Sequence, residues 1–213
     1  MVEIMQLSTS SFESDGPIPA RYAFAKPHPE DRVTLSDNIN PALSWSDVPE
    51  GTKSFALICH DYDVPSKGDD VNQDDREVPP DLPRVDFFHW VVVELPAQLR
   101  SIDEGEFANG VVVGGKEGGE GPHGCREGLN DFTGWFAGDE EMGGDYHGYD
   151  GPAPPWNDSI IHHYVFTLYA LDVENSEVSG SFTGSEVREA IDGHVLAEAS
   201  LQGTYTQNPR LIA

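Results

Sequence analysis

Three apolar runs limit what this chain can fold into. They are "SFALICH" (Ser54 to His60), "FHWVVVEL" (Phe88 to Leu95) and "HYVFTLYALDV" (His163 to Val173). Each is rich in β-branched and aromatic residues and has no Gly or Pro inside, which predicts strands. None alternates strictly between apolar and polar, so both faces of the sheet they form should be covered. Weaker strands are expected near Met5 to Leu7, Ala42 to Trp45, Gly110 to Gly114 and Gly203 to Thr206. At 213 residues with 38% hydrophobic content, the chain can bury one sizeable core, so residues 1–213 read as a single domain.

One helix is signalled late in the chain. In "TGSEVREAIDGHVLAEASL" the residues Val187, Ile191, Val195 and Ala199 recur at helical spacing, and Thr183 with Glu186 forms a capping-box pattern. Gly193 marks a break or kink in it. The rest is loop, including two long ones, 66–86 and 115–148. Unstructured connections of this length are uncommon in compact domains and are often functional. A mainly β domain with one or two late helices follows.

Charge narrows the partners. The chain carries 38 acidic and 12 basic residues, a formal net charge of −26, and only four of the basic residues are lysines. A field of this sign repels nucleic acid and anionic membranes at ordinary salt. The acids are spread over many loops. They fit either ordinary solvated loops or, as we favour, a surface adapted to a salt-rich cytoplasm. No apolar run is long enough to cross a bilayer, and the N-terminal stretch lacks a signal-peptide pattern, so a cytoplasmic protein is expected. Cys59 and Cys125 lack the spacing of a disulfide framework or a zinc site. Cys59 reads as a buried small hydrophobe and Cys125 as a free loop thiol.

The strand ends carry the chemistry. Asp61 and Asp63 follow the first strong strand, His89 begins the second, and His162 precedes the third. If the first strand runs antiparallel to the other two, these groups meet at one rim. The "YDGPAPP" stretch, Tyr149 to Pro155, would wall that rim as a rigid shelf, with Pro154–Pro155 as a candidate cis bond. Two carboxylates and two imidazoles suit anion binding, a divalent metal or acid–base work, and spacing alone does not choose among them. Taken singly, Asp61 and Asp63 also fit turn formers, and His89 a satisfied core histidine. His162 and His163 are adjacent, so only one can face a given pocket. Lys116 in "GGKEGGEG" lacks the context of a phosphate-binding loop and reads as flexible. His123 and His147 read as solvated, the four tryptophans as anchors, and the "NDS" at Asn157 as uninformative.

Taken together, the motifs resemble those of the phosphatidylethanolamine-binding protein family, in particular its bacterial and archaeal, Raf-kinase-inhibitor-like branch. The matching stretches are "SSFESDGPIPARYAF", "NINPALSWSDVPEGTKSFALICHDYDVP", "FFHWVVVELPA", "GLNDF", "YDGPAPPWNDSIIHHYVFTLYALD" and "EVREAIDGHVLAEASLQGTY". The resemblance implies a large central antiparallel sheet packed against a smaller one, with short C-terminal helices. It also implies a non-enzymatic rim pocket for phosphate, phosphorylated head-group-like or carboxylate anions. The pocket residues map to Asp61, Asp63, Pro65, His89, Gly151, Pro152, Pro154, His162 and Tyr164. Asp61 is expected to orient a histidine or accept from an amine. No cofactor, metal or catalytic residue is implied. A kinase-inhibitor-like protein-interaction module is the second reading, and a hydrolase or metal-assisted enzyme the third. The prokaryotic branch points to a homodimer.

Two departures stand out: Tyr62 where the family has proline in D-P-D, and His163 where it has arginine in H-R-Y. Residues 66–86 and 133–146 look inserted, each placed to lid the pocket or offer a partner surface.

If the acidic surface is an adaptation to salt, the urea midpoint of unfolding rises steadily from ~0.1 M towards molar salt, where the Debye length shrinks to about 3 Å. A flat or falling midpoint, followed by circular dichroism, would remove that adaptation.

Overall fold

The computed structural model describes residues 4–212. Its strands are β1 (Gln6–Ser8), β2 (Ala25–His28), β3 (Arg32–Leu35), β4 (Leu43–Ser46), β5 (Ser54–Pro65), β6 (Arg84–Pro96), β7 (Ser101–Ile102), β8 (Gly119–Glu120), β9 (Arg126–Glu127), β10 (His162–Leu171) and β11 (Val195–Tyr205). Two short helices, α1 (Phe132–Trp135) and α2 (Gly184–Ala190), complete the regular structure. The three strong apolar runs become β5, β6 and β10, the centre of a six-stranded sheet in the order β11-β10-β5-β6-β9-β8. All of its ladders are antiparallel. A three-stranded sheet, β1-β4-β7, packs on it, and β2-β3 forms a separate hairpin. The predicted mainly β architecture is the one the chain adopts.

Both faces of the central strands are covered, which accounts for their unbroken hydrophobicity. On one face Phe55, Leu57, Cys59, Trp90, Val92, Phe166 and Leu168 pack against Leu43, Trp45 and Ile102 of the small sheet and Met5 just before it. On the other, Ala56, Ile58, Phe88, Val91 and Val93 pack against Phe182, Val187 and Ile191 in and around α2. Burying one such large side chain is worth about 1.5–3 kcal/mol. This two-sided core therefore outweighs any single surface ion pair.

Four expectations need correction. The late helix ends at Ala190, and Val195 onwards is strand β11, paired along its length with β10. Gly193, with φ of +83°, makes the reversal between them. The helical spacing of Val195 and Ala199 was coincidental, and the ladder to β10 decides their conformation. The capping box itself is formed: Thr183 Oγ1 accepts from Glu186 N–H, and Glu186 reaches back to Thr183 N–H. Residues 110–114 are loop rather than strand. Every peptide bond among the described residues is trans, so the bond expected to be cis at Pro154–Pro155 is not. Trans is the lower-energy isomer by roughly 0.5–1 kcal/mol, and the chain turns only after it, at Pro155–Asp158, where Asp158 N–H donates to the Pro155 carbonyl at 3.1 Å. Finally, Lys116 and His147 are not free loop groups. Lys116 Nζ donates to the Tyr149 carbonyl, and His147 is buried with Nδ1 2.9 Å from the Lys116 carbonyl oxygen.

The loop between β5 and β6 is irregular but tied down. The buried Asn157 side-chain NH₂ lies 2.8, 3.2 and 2.9 Å from the carbonyl oxygens of Asp70, Gln73 and Arg76, and its Oδ1 accepts from Asn72 N–H at 2.8 Å. Replacing Asn157 by Ala should cost about 2 kcal/mol, because its buried amide holds four hydrogen bonds across the loop that alanine cannot make. Limited proteolysis should then cut within residues 66–83 before anywhere else. Unchanged cleavage there would show that other contacts hold the loop.

Candidate functional site

The strand register builds the site. Asp61 on β5 lies opposite Phe87 on β6 and Tyr164 on β10. His162 is two residues before Tyr164 and therefore on the same face. His89 reaches that face by a different device. Cys59 pairs with Trp90 and His60 with Phe88, so His89 has no partner in the ladder and is the extra residue of a β-bulge. Strict alternation would turn it towards α2; the bulge re-aims it to the side of Asp61. Its ring packs edge-on against Tyr164 (centroids 5.1 Å apart) and Phe132 (5.5 Å).

The two histidines differ in charge because their partners differ. His162 Nδ1 is 2.7 Å from Asp61 Oδ2 and its Nε2 is 3.0 Å from Asp158 Oδ2. Both partners are carboxylates, so both ring nitrogens donate and the ring is an imidazolium. Burial by itself would lower its pKa, but Asp61 and Asp158 outweigh this and hold it up at about 9. Asp158 also takes a two-pronged contact from Arg84, at 2.6 and 3.1 Å. Its carboxyl is held below the usual range: burial would raise it, and His162 and Arg84 overcome that. Charges thus alternate along Asp61, His162, Asp158 and Arg84. His89 Nδ1, in contrast, lies 2.8 Å from the Asp150 backbone carbonyl. Burial takes its pKa down to about 4, against the pull of Asp61, so it is neutral at pH 7.

Behind His89, Asp150 is fully buried and locked. Its Oδ1 accepts from Asn38 at 2.7 Å, its Oδ2 from Asn130 at 2.8 Å, and Lys116 Nζ stands 3.6 Å away. This network was not foreseen. Asn130 lies in "GLNDF" and Asp150 in "YDGPAPP", both inside motif matches, but nothing in their spacing marks them as partners.

The groups border a cavity of about 490 Å³. Asp61, His89, His162 and Tyr164 form its polar end, with Pro65 and Pro154 beside them. The two long loops supply much of the rest: Val71 and Asn72 from one, and Trp135, Phe136, Glu141 and Met142 from the other. Phe24 and Phe132 stack at 4.5 Å beneath them. The lid expected of these segments is therefore a wall.

Asp63, Gly151 and Pro152 do not border the cavity. After the irregularity between Asp61 and Val64, Asp63 turns to His163, accepting from its Nδ1 at 2.7 Å and its N–H at 2.9 Å. Gly151 packs against the Tyr22 backbone so closely that a Cβ would lie 2.0 Å from the Tyr22 carbonyl oxygen. The Pro152 carbonyl accepts from Phe24 and Ala25 N–H groups. These residues place the shelf rather than face the hollow. The two departures from the family pattern meet each other: the Tyr62 and His163 rings stack at 5.5 Å and 6° on the outer side.

The family model for phosphatidylethanolamine-binding proteins matches residues 8–206. The chain belongs to that family. UPF0098 protein YbhB of Escherichia coli is 34% identical over 170 residues, covering 80% of this chain and 83% of that protein. A UPF0098 protein of Methanothermobacter thermautotrophicus is 34% identical over 201 residues, covering 94% and 98%. Among solved structures, the family homolog CT736 from Chlamydia trachomatis superposes with a TM-score of 0.62 at 29% identity, covering 95% and 97%. Escherichia coli YbcL superposes with a TM-score of 0.67 at 24% identity, a likeness of fold. Among the described residues no helix is long and apolar enough to cross a membrane.

The charge states set the response to pH. His89, depressed to about 4 from 6.5, leaves the unfolded chain with the extra proton between those values, so its contribution to stability is lost as pH falls from 6.5 to 4. His162, raised to about 9, contributes fully below pH 6.5 and loses that contribution as pH rises through 9. Replacing His162 by Gln should cost about 3–5 kcal/mol by leaving buried carboxylates without their cation, and should abolish the alkaline loss between pH 7 and 9.5. Urea denaturation of both proteins across that range checks this. An imidazole signal from His162 titrating near pH 6.5 by NMR would contradict the assignment.

Proposed function

We propose that this protein is a non-enzymatic binding protein for small molecules that join a phosphate or carboxylate group to an apolar body. The observation that carries the reading is the division of the cavity. At its polar end His89 Nε2 has no hydrogen-bond partner among the described residues, beside the His162 imidazolium. The remainder is walled by Phe24, Leu35, Val71, Phe136 and Met142. A volume of about 490 Å³ falls within the range of roughly 300–1,000 Å³ usual for small-ligand sites, and an inorganic anion alone would leave the apolar walls bare.

Binding rather than turnover is supported by how the ionisable groups are used. Each rim carboxylate is already engaged: Asp61 by His162, Asp158 by His162 and Arg84, Asp63 by His163. The neutral imidazole at the cavity's polar end, His89, is held far below the operating range of a general base. The names of the family and its solved members refer to phosphatidylethanolamine, whose head group contains a phosphate ester. That agrees with an acid-bearing ligand, while the overall charge of −26 disfavours collecting one from an anionic bilayer surface.

Isothermal titration with phenyl phosphate and with inorganic phosphate at pH 5.5, where both mostly carry a proton, tests the proposal. Phenyl phosphate should bind more tightly. Phe136→Ala should weaken it about tenfold and leave inorganic phosphate unchanged, since only the ring loses its apolar wall. Equal affinities in both proteins would remove the apolar half of the reading.

A further inference from the structure

One atom at the polar end has its role dictated by the backbone. The Asp150 carbonyl oxygen 2.8 Å from His89 Nδ1 can only accept, so Nδ1 carries the ring proton. In the neutral imidazole Nε2 is then a bare lone pair. Among the described residues Nε2 has no hydrogen-bond partner, and His89 borders the cavity. Its neighbour there offers no proton either. Asp61 Oδ2 receives the His162 proton at 2.7 Å, and Oδ1 receives the Asp63 N–H at 2.7 Å. Glu141 adds a further carboxylate in the inserted wall. A fully ionised oxyanion entering this end would face a lone pair and carboxylate oxygens.

We propose that the pocket selects oxyanions that bring their own proton, such as hydrogen phosphate or a phosphate monoester monoanion, over fully ionised ones such as sulfate. The ligand O–H donates to His89 Nε2. His89 is thereby a specificity-determining residue, and Asp150 a positioning residue that holds its tautomer through the backbone.

The selectivity holds while His89 is neutral. The groups facing it are Asp61 from β5, His162 and Tyr164 from β10, Asp150 before the shelf and Glu141 in the wall; α1 presents only Phe132 and Trp135. Burial keeps the ring neutral, the His162 imidazolium assists, and Asp61 opposes. At lower pH a proton on Nε2 turns the acceptor into a donor. Sulfate should then bind with uptake of one proton, its affinity rising by up to about tenfold per pH unit.

The inference rests on the anion-binding reading, and the test separates the two. Isothermal titration of sodium phosphate and sodium sulfate, at matched ionic strength, is run at pH 7.5 and 5.5 in two buffers of different ionisation enthalpy. Phosphate should bind at least about tenfold more tightly than sulfate at pH 7.5, because the analogue lacking the donated hydrogen leaves a buried acceptor unpaired. The gap should narrow at pH 5.5, where sulfate takes up about one proton from the buffer. His89→Gln, whose amide can present either donor or acceptor, should bring the two anions within about threefold at pH 7.5. Equal phosphate and sulfate affinities at pH 7.5 in the unaltered protein, without proton uptake, would overturn the selectivity and leave anion binding standing. No binding of either anion at either pH would overturn the anion-binding reading itself.

Discussion

A buried line of alternating charge holds the rim of this protein together. Asp61, His162, Asp158 and Arg84 come from β5, β10, the segment between the shelf and β10, and the start of β6. Each interior member is neutralised on both sides, so desolvation is offset by close contacts of 2.6–3.0 Å. Remove one member and an uncompensated charge stays buried. The line also orders the connection between β5 and β6, because Arg84 donates to the Asp63 and Pro79 carbonyls as well. The polar end of the cavity is therefore rigid before any ligand arrives, which limits the ordering cost of binding.

Against that rigid charge line, His89 is set up differently. It is neutral, buried among Phe87, Phe132 and Tyr164, and held by a backbone carbonyl instead of a carboxylate. Two imidazoles in one pocket thus have opposite protonation, decided by what each faces. The separation assigns one ring to structure and leaves the other to meet a ligand. The Asp150 network behind it makes the carbonyl a fixed point, since Asn38, Asn130 and Lys116 all converge on that side chain.

The two long loops set the character of the pocket: Phe136, Met142 and Val71 give it an apolar body beyond the polar rim. The Asn157 amide and the stacked Phe24 and Phe132 are what convert long acidic loops into walls. Most acids on those loops are exposed and keep the surface strongly negative, while the loops' side of the chamber is apolar apart from Asn72 and Glu141.

Much of this was legible in the residues. Unbroken runs of β-branched and aromatic residues required a sheet covered on both faces, and the polar residues at the ends of those runs required one rim, given antiparallel order. Local pattern also carried the capping box at Thr183. What it could not carry were effects set by pairing at long range. The period of Val187 to Ala199 looked helical until the ladder to β10 claimed its second half. His89 faces the cavity only because one residue of β6 goes unpaired opposite β5. Asp63, Gly151 and Pro152 matched the family's pocket pattern, yet here they bond to His163 and the Tyr22–Ala25 backbone. The sequence by itself determined which residues would be buried and which charges would gather at one edge, because those follow from hydrophobicity and strand periodicity. The tertiary structure decided which imidazole is charged and where its free nitrogen points, because that depends on the partner atom each ring meets across the fold.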